Sequence, residues 1–166
     1  MDRPPPSKEH QAPSAAQIAQ ELPRLIERMH RRFLDLVRIE LERQNIRDIS
    51  PVQALMLANI GQEELAVRDL IERGYYLGSN ASYNLKQLVD GGYVERNTSS
   101  RDRRAAQLKV SPKGRGILEA LGTLNAGIAV PLMQGPGEME TAWRLLRKLE
   151  RRWSDAILAA GTGGDV

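Results

Sequence analysis

The sequence contains no cysteine, and that one absence excludes a disulfide framework, a thiol nucleophile, thiol-oxidation sensing and a cysteine-ligated zinc site together. Histidine is nearly absent: His10 and His30 cannot furnish a metal cage or a nucleophilic triad. Aromatic side chains are only 4% of the chain, so a core must rest on Leu, Ile, Val, Met and Ala, which favours packed helices over a sandwich of sheets. No apolar run approaches the ~18 residues that would cross a bilayer. The opening MDRPPPSKEHQAPSAA lacks an apolar signal core. A cytoplasmic protein with no membrane partner, metal or cofactor is the expectation. With no Gly-rich phosphate loop, no metal-ligand spacing and no histidine beside a nucleophile, an enzyme lacks its parts.

What is present is a chain of 166 residues, 41% hydrophobic and 27% charged, enough for one domain with a real core. The net charge of +3 is modest, but its distribution is not even. Between Ala66 and Arg115 stand ten basic and five acidic residues, an excess larger than that of the whole chain. Such a stretch is either a polyanion-binding face or a solvated surface of mixed charge.

Residues 1–14 and 161–166 have the composition of disordered tails. Between them the apolar spacing is mostly helical. Leu22, Ile26, Met29, Phe33, Leu36 and Leu41 predict one long helix over 15–44, too long for one small domain to cover. Ser50-Pro51-Val52-Gln53 carries the cap and capping-box signals of a second helix, ended by Gly61. An extended piece near 64–67 precedes a third helix over 68–73. A fourth starts at Ser79 or Asn80 and ends at Asp90, before Gly91-Gly92. Its buried stripe is Ala81, Leu85 and Leu88. Ser79, Asn80, Ser82, Tyr83, Lys86 and Gln87 fall on or beside the other face. The period then changes: 93–96 and 106–110 predict two strands, joined by a polar, strongly basic loop. Ser111-Pro112 opens a fifth helix carrying Ile117, Leu121, Leu124 and Ile128. After Gly135-Pro136-Gly137, a last helix over 138–159 carries Trp143, Leu146, Leu149, Trp153 and Ile157.

A helix-turn-helix followed by a basic two-stranded hairpin is a winged helix in outline. A helix fits the major groove of duplex DNA, where base edges carry a full donor and acceptor code. Guanidinium groups on a thin hairpin can reach the minor groove. Arg101, Arg103 and Arg104 are either DNA contacts or a solvated tip. Tyr83 and Lys86 could meet base edges or phosphates.

The run LKQLVDGGYVERNTSSRDRRAAQLKVSPKG resembles the recognition helix and wing of the multiple-antibiotic-resistance regulator (MarR) winged-helix family. GYVER, the wing signature Asp102-Arg103-Arg104 and the closing Ser-Pro-Lys-Gly carry the match, with the long helix before and two helices after, so that it spans roughly 15–160. The resemblance implies a homodimeric transcription regulator on a pseudo-palindromic operator of double-stranded DNA. Asp102 would orient Arg104 into the minor groove, leaving Arg101 and Arg103 to phosphates. A small lipophilic or acidic effector would sit between the dimer helices and the winged domain, with Leu55, Met56, Asn59 and Tyr75 as wall residues or simply as core. ERGYYLGSNASYNLKQLV further resembles a subgroup tied to L,D-transpeptidase regulation. The chain departs from the family in placing Tyr83, Asn84 and Lys86 where many members carry Thr and Arg, and in its longer turn through Tyr75 and Tyr76.

The expected fold is mainly α with a small β-hairpin wing: a winged helix-turn-helix domain beside an α-helical dimerisation domain built from the N- and C-terminal helices. Residues 15–47 form the first dimerisation helix, 48–116 the DNA-binding domain and 117–160 the C-terminal dimerisation helices. Leu22, Ile26, Phe33, Leu124, Trp143 and Trp153 are the expected interface. An architectural, low-specificity DNA-binding protein is the alternative; it differs in specificity ratio, not in fold.

Overall fold

Serine caps open three of the helices, and residues at positive φ close three of them. In this computed structural model, which describes residues 14–74, 78–97, 106–129, 135 and 137–161, the first helix, α1 (Ala15–Arg43), starts at a capping box. Ser14 and Gln17 each bond the other's backbone N–H, an arrangement the composition of the tail conceals. It ends where Asn45 turns to φ 63°, with the Ile46 N–H donating to the Leu41 carbonyl at 2.9 Å. That is a Schellman closure with Asn in the left-handed position. The second helix, α2 (Pro51–Ile60), repeats the device at its start: Ser50 and Gln53 form the expected capping box, and Pro51 takes the first helical position.

A two-residue strand, β1 (Leu65–Ala66), leads into α3 (Val67–Gly74), and α4 (Gly78–Asp90) follows. Gly92, at φ 72°, closes α4: its N–H reaches the Val89 carbonyl, and the Tyr93 N–H reaches that of Leu88. Because the Tyr93 N–H is spent there, the next strand, β2 (Val94–Asn97), begins one residue later than the alternation predicts. Its antiparallel partner is β3 (Gln107–Val110), in the register Val94↔Val110 and Glu95↔Lys109. The sheet has three strands rather than the two of a bare hairpin. β1 pairs with β3 through Leu65↔Leu108, giving the order β1-β3-β2.

Ser111 opens α5 (Pro112–Ala129) in the manner of Ser50: its hydroxyl accepts from the Gly114 N–H at 3.1 Å. The last helix is α6 (Glu138–Gly161). The chain divides into two compact units, Met1–Ala120 and Leu121–Val166. In the first, α2 is central and packs on α1, α3, α4 and β3. Its core joins Val37, Leu41, Met56, Leu57, Leu70, Leu85, Leu88, Leu108, Val110 and Ile117. In the second, α6 carries a stripe of apolar side chains, and Trp143 and Trp153 on it are 59% and 43% exposed. Among the described residues, no helix is long and apolar enough to cross a membrane.

Candidate nucleic-acid interface

Helical period alone decides which face α4 presents. Ala81, Leu85 and Leu88 are buried against the winged core, so the residues between them must turn outward. Ser79, Asn80, Ser82, Tyr83, Lys86 and Gln87 are all exposed, Tyr83 by 64%. The face therefore offers hydroxyl, carboxamide, phenol and ammonium groups over two turns, a set able to donate to and accept from base edges or phosphates. Asn84 is partly withdrawn; its amide nitrogen donates to the Asn80 carbonyl at 2.9 Å.

An acidic residue shares this face, and sequence reading missed it. The Lys86 ammonium lies 2.5 Å from a carboxylate oxygen of Asp90, one helical turn on, and this contact raises the lysine pKa. Lys86 is thus ion-paired within its own helix. The i, i+4 spacing of Lys86 and Asp90 was the available signal.

β2 and β3 form the base of the wing. Glu95 stands directly across from Lys109, which also lies 3.7 Å from Glu64. Arg96 is exposed on β2. Arg101, Asp102, Arg103 and Arg104 lie outside the described residues, as does Tyr75.

Behind α4 and the wing sits a polar cluster. The Tyr93 hydroxyl donates to Asp48 Oδ1 at 2.6 Å, and Lys113 Nζ donates to Asp48 Oδ2 at 2.9 Å. The same ammonium donates to the Gly91 carbonyl at 2.9 Å and stands 3.9 Å from the centre of the Tyr93 ring. The Tyr93 hydroxyl, then the Lys113 ammonium, hold the Asp48 carboxyl below the usual carboxylate range. Burial, then the Asp48 carboxylate, pushes the Tyr93 phenol up.

Of the expected pocket residues, Met56 is fully buried, Leu55 half-buried and Asn59 exposed. Of the expected interface residues, Leu22, Ile26 and Phe33 on α1 and Leu124 on α5 are half-buried. Among the described residues, no group of three or more His, Asp or Glu side chains could hold a metal ion.

The comparisons with known proteins fit this geometry. The sequence model of the MarR family matches residues 47–105, from just before α2 to just before β3. The chain is 44% identical over 139 residues to the exopolysaccharide II synthesis transcriptional activator ExpG of Rhizobium meliloti, covering 82% of this chain and 72% of the relative. Staphylococcus aureus MarR, solved in complex with salicylate and kanamycin, has a similar fold with a TM-score of 0.67 at 20% identity, over 83% of this chain and 93% of that one. A MarR mutant from E. coli, solved in complex with operator DNA, gives a TM-score of 0.63 at 20% identity, over 82% and 99% of the two chains. Sequence kinship over most of its length and a shared fold together show that the chain belongs to the MarR family, whose members are DNA-binding transcription regulators.

Proposed function

We propose that the protein is a homodimeric, sequence-specific regulator of transcription that binds a pseudo-palindromic operator in double-stranded DNA. The observation that carries this reading is the outward face of α4, where six polar side chains stand on the side opposite a buried apolar stripe, next to a sheet that leads into a basic loop. Side chains of that kind on a rigid helix suit base readout, and arginines on the wing suit the minor groove. A partner of this kind places the protein with the chromosome in the cytoplasm.

Dimerisation is supported by apolar surface. Ile18, Leu25, Met29, Leu36 and Ile39 on α1 are exposed, as are Trp143, Leu146, Trp153 and Ile157 on α6. A second copy burying these would form the α-helical dimerisation domain, with Leu22, Ile26, Phe33, Leu124, Trp143 and Trp153 at its interface. Control by a small lipophilic or acidic effector is part of the reading. Such a compound acts only if it binds one spacing of the two recognition helices better than another. Salicylate in the S. aureus neighbour is a compound of that chemistry. The name of the R. meliloti relative points to exopolysaccharide synthesis and lends nothing to the narrower resemblance to L,D-transpeptidase regulators.

Genome-wide footprinting tests the proposal. One or a few sharp sites with two-fold symmetry are expected. A diffuse profile would overturn sequence specificity and leave an architectural role.

A further inference from the structure

Lys113 belongs to the basic middle of the chain, and by composition it would be one more phosphate contact. The geometry assigns it a different task. Its ammonium makes two hydrogen bonds, one to Asp48 Oδ2 in the loop before α2 and one to the carbonyl of Gly91, at the closing turn of α4. Its third contact is the face of Tyr93, whose hydroxyl donates to the other oxygen of Asp48. One carboxylate oxygen and a helix-end carbonyl take two of the three N–H donors of the ammonium, and an aromatic face lies against it, so a phosphate would have to compete with all three.

We infer that Lys113 and Asp48 are positioning residues for DNA binding: they lock the closing turn of the recognition helix and the root of the wing onto the first turn of α5. Three chain segments meet here. Asp48 precedes α2, Gly91 and Tyr93 join α4 to β2, and Lys113 sits in the first turn of α5. Ser111 closes the same joint from its other side, donating from its hydroxyl to the Gly92 carbonyl at 2.7 Å and from its N–H to the Tyr93 carbonyl at 3.0 Å. The cation lies at the C-terminal end of α4, where the helix dipole favours it. α5 continues past Ala120 into the second unit. The joint therefore fixes the DNA-reading helix to the helix that leads out of the winged domain. This inference rests on the two-fold operator reading above for its DNA consequences, but not for the joint itself.

The two roles open to Lys113 give opposite signs. If it were a phosphate ligand held back by Asp48, Asp48→Asn would free it and tighten binding to any duplex. Lys113→Met would weaken any duplex and lower the salt slope by about one unit. As a positioning pair, both changes weaken binding to a duplex selected from a random pool by the full chain, by about threefold to thirtyfold. The double variant is no worse than either single one. Binding to a mixed-sequence duplex keeps its salt slope, and Lys113→Arg restores part of the loss.

A second measurement needs no DNA. In the full chain, amide hydrogen exchange at Gly92, Tyr93, Ser111 and Gly114 should quicken in Asp48→Asn and Lys113→Met, while exchange in the α2 core is unchanged. Tighter binding by Asp48→Asn, a salt slope reduced on both duplexes, or unaltered exchange at the joint overturns the inference. A wild-type chain with no preference for its selected duplex overturns the sequence-specific reading instead, and the exchange result still decides the joint.

Discussion

A Cβ on Gly114 would stand 2.4 Å from the Tyr93 carbonyl oxygen and 2.6 Å from Val110 Cγ1. Both neighbours are fixed, one as backbone and the other as a buried side chain at the end of β3. Gly116, two residues on in the same helix, would meet nothing within 4 Å. The pair makes a controlled comparison, because helix propensity alone favours Ala over Gly at either position by up to ~1 kcal/mol. Gly114→Ala should instead destabilise by about 1–3 kcal/mol through overpacking. Gly116→Ala should stabilise by about 0.4–1 kcal/mol. Denaturant midpoints of the two variants check this; equal shifts of the same sign would contradict the packing described for α5.

If the exposed apolar stripes meet a second copy, Trp143→Ala and Trp153→Ala should each weaken self-association by about thirtyfold, the cost of ~2 kcal/mol typical of a buried aromatic anchor. The midpoint of thermal unfolding should rise with wild-type concentration and do so at higher concentrations for the variants. Sedimentation equilibrium measures this directly. A wild-type chain that stays monomeric at micromolar concentration removes the basis of the prediction.

The Asp90 carboxylate beside Lys86 offsets its charge and would repel a phosphate brought to the same face. Asp90→Asn should therefore tighten binding to duplexes of any sequence and steepen the salt slope by up to about one unit. Lys86→Ala should do the reverse, and in its background Asp90→Asn should lose most of its effect on slope. Affinities over a salt series decide it. An Asp90→Asn variant that binds more weakly would place the carboxylate in direct base contact instead.

In the wing, Arg104→Ala should cost on the order of 1–3 kcal/mol of operator binding and relax preference at flanking A·T-rich positions. Arg101→Ala, if that side chain meets only phosphate, should weaken all sequences alike. Asp102→Ala separates charge from orientation. Lost repulsion alone would tighten binding, whereas loss of the group that aims Arg104 weakens it. Tighter binding with unchanged specificity would end the orienting role.

The Asp48 cluster sets a pH dependence with two edges. Asp48 is held low by the Tyr93 hydroxyl and then by Lys113. A carboxylate whose pKa falls on folding contributes stability that is complete above its unfolded value, about 4, and is lost as pH drops through the lower folded one. Tyr93 is raised by burial and then by Asp48, and Lys113 by its bond to Asp48. Their contributions are complete below their unfolded values of about 10 and vanish as pH rises through the folded ones. The stability gap between wild type and Asp48→Asn should accordingly be flat from about pH 6 to about pH 8 and close below about pH 4. A gap that changes across neutral pH would require another titrating group.

How much of this was legible in the sequence follows from the range of the forces involved. Ser50 with Gln53, Ser111 with Pro112 and the Gly91-Gly92 pair act within a few residues, and each placed a helix end correctly. The exposed face of α4 followed from the spacing of Ala81, Leu85 and Leu88. The short strand near 64–67 was legible, but its pairing was not, because two residues show no alternation and the partner Leu108 lies far along the chain. The bond from Tyr93 to Asp48 spans 45 residues, and nothing local to either announces it. Lys113 is a case of the same kind: its charge is visible in the sequence, but the carboxylate and carbonyl it meets are not.

The order β1-β3-β2 makes the two strands of the wing mechanically unequal. β3 is gripped on both sides, by β1 through Leu108 and by β2 through Val110, while β2 is gripped on one. A pull on the loop that joins them is therefore borne chiefly by β3. Val110 passes into Ser111 and the start of α5 with no slack between strand and helix. If the wing holds DNA as proposed, a tug on that DNA should reach α5 through β3 as through a taut cord, with β2 the first strand to peel away.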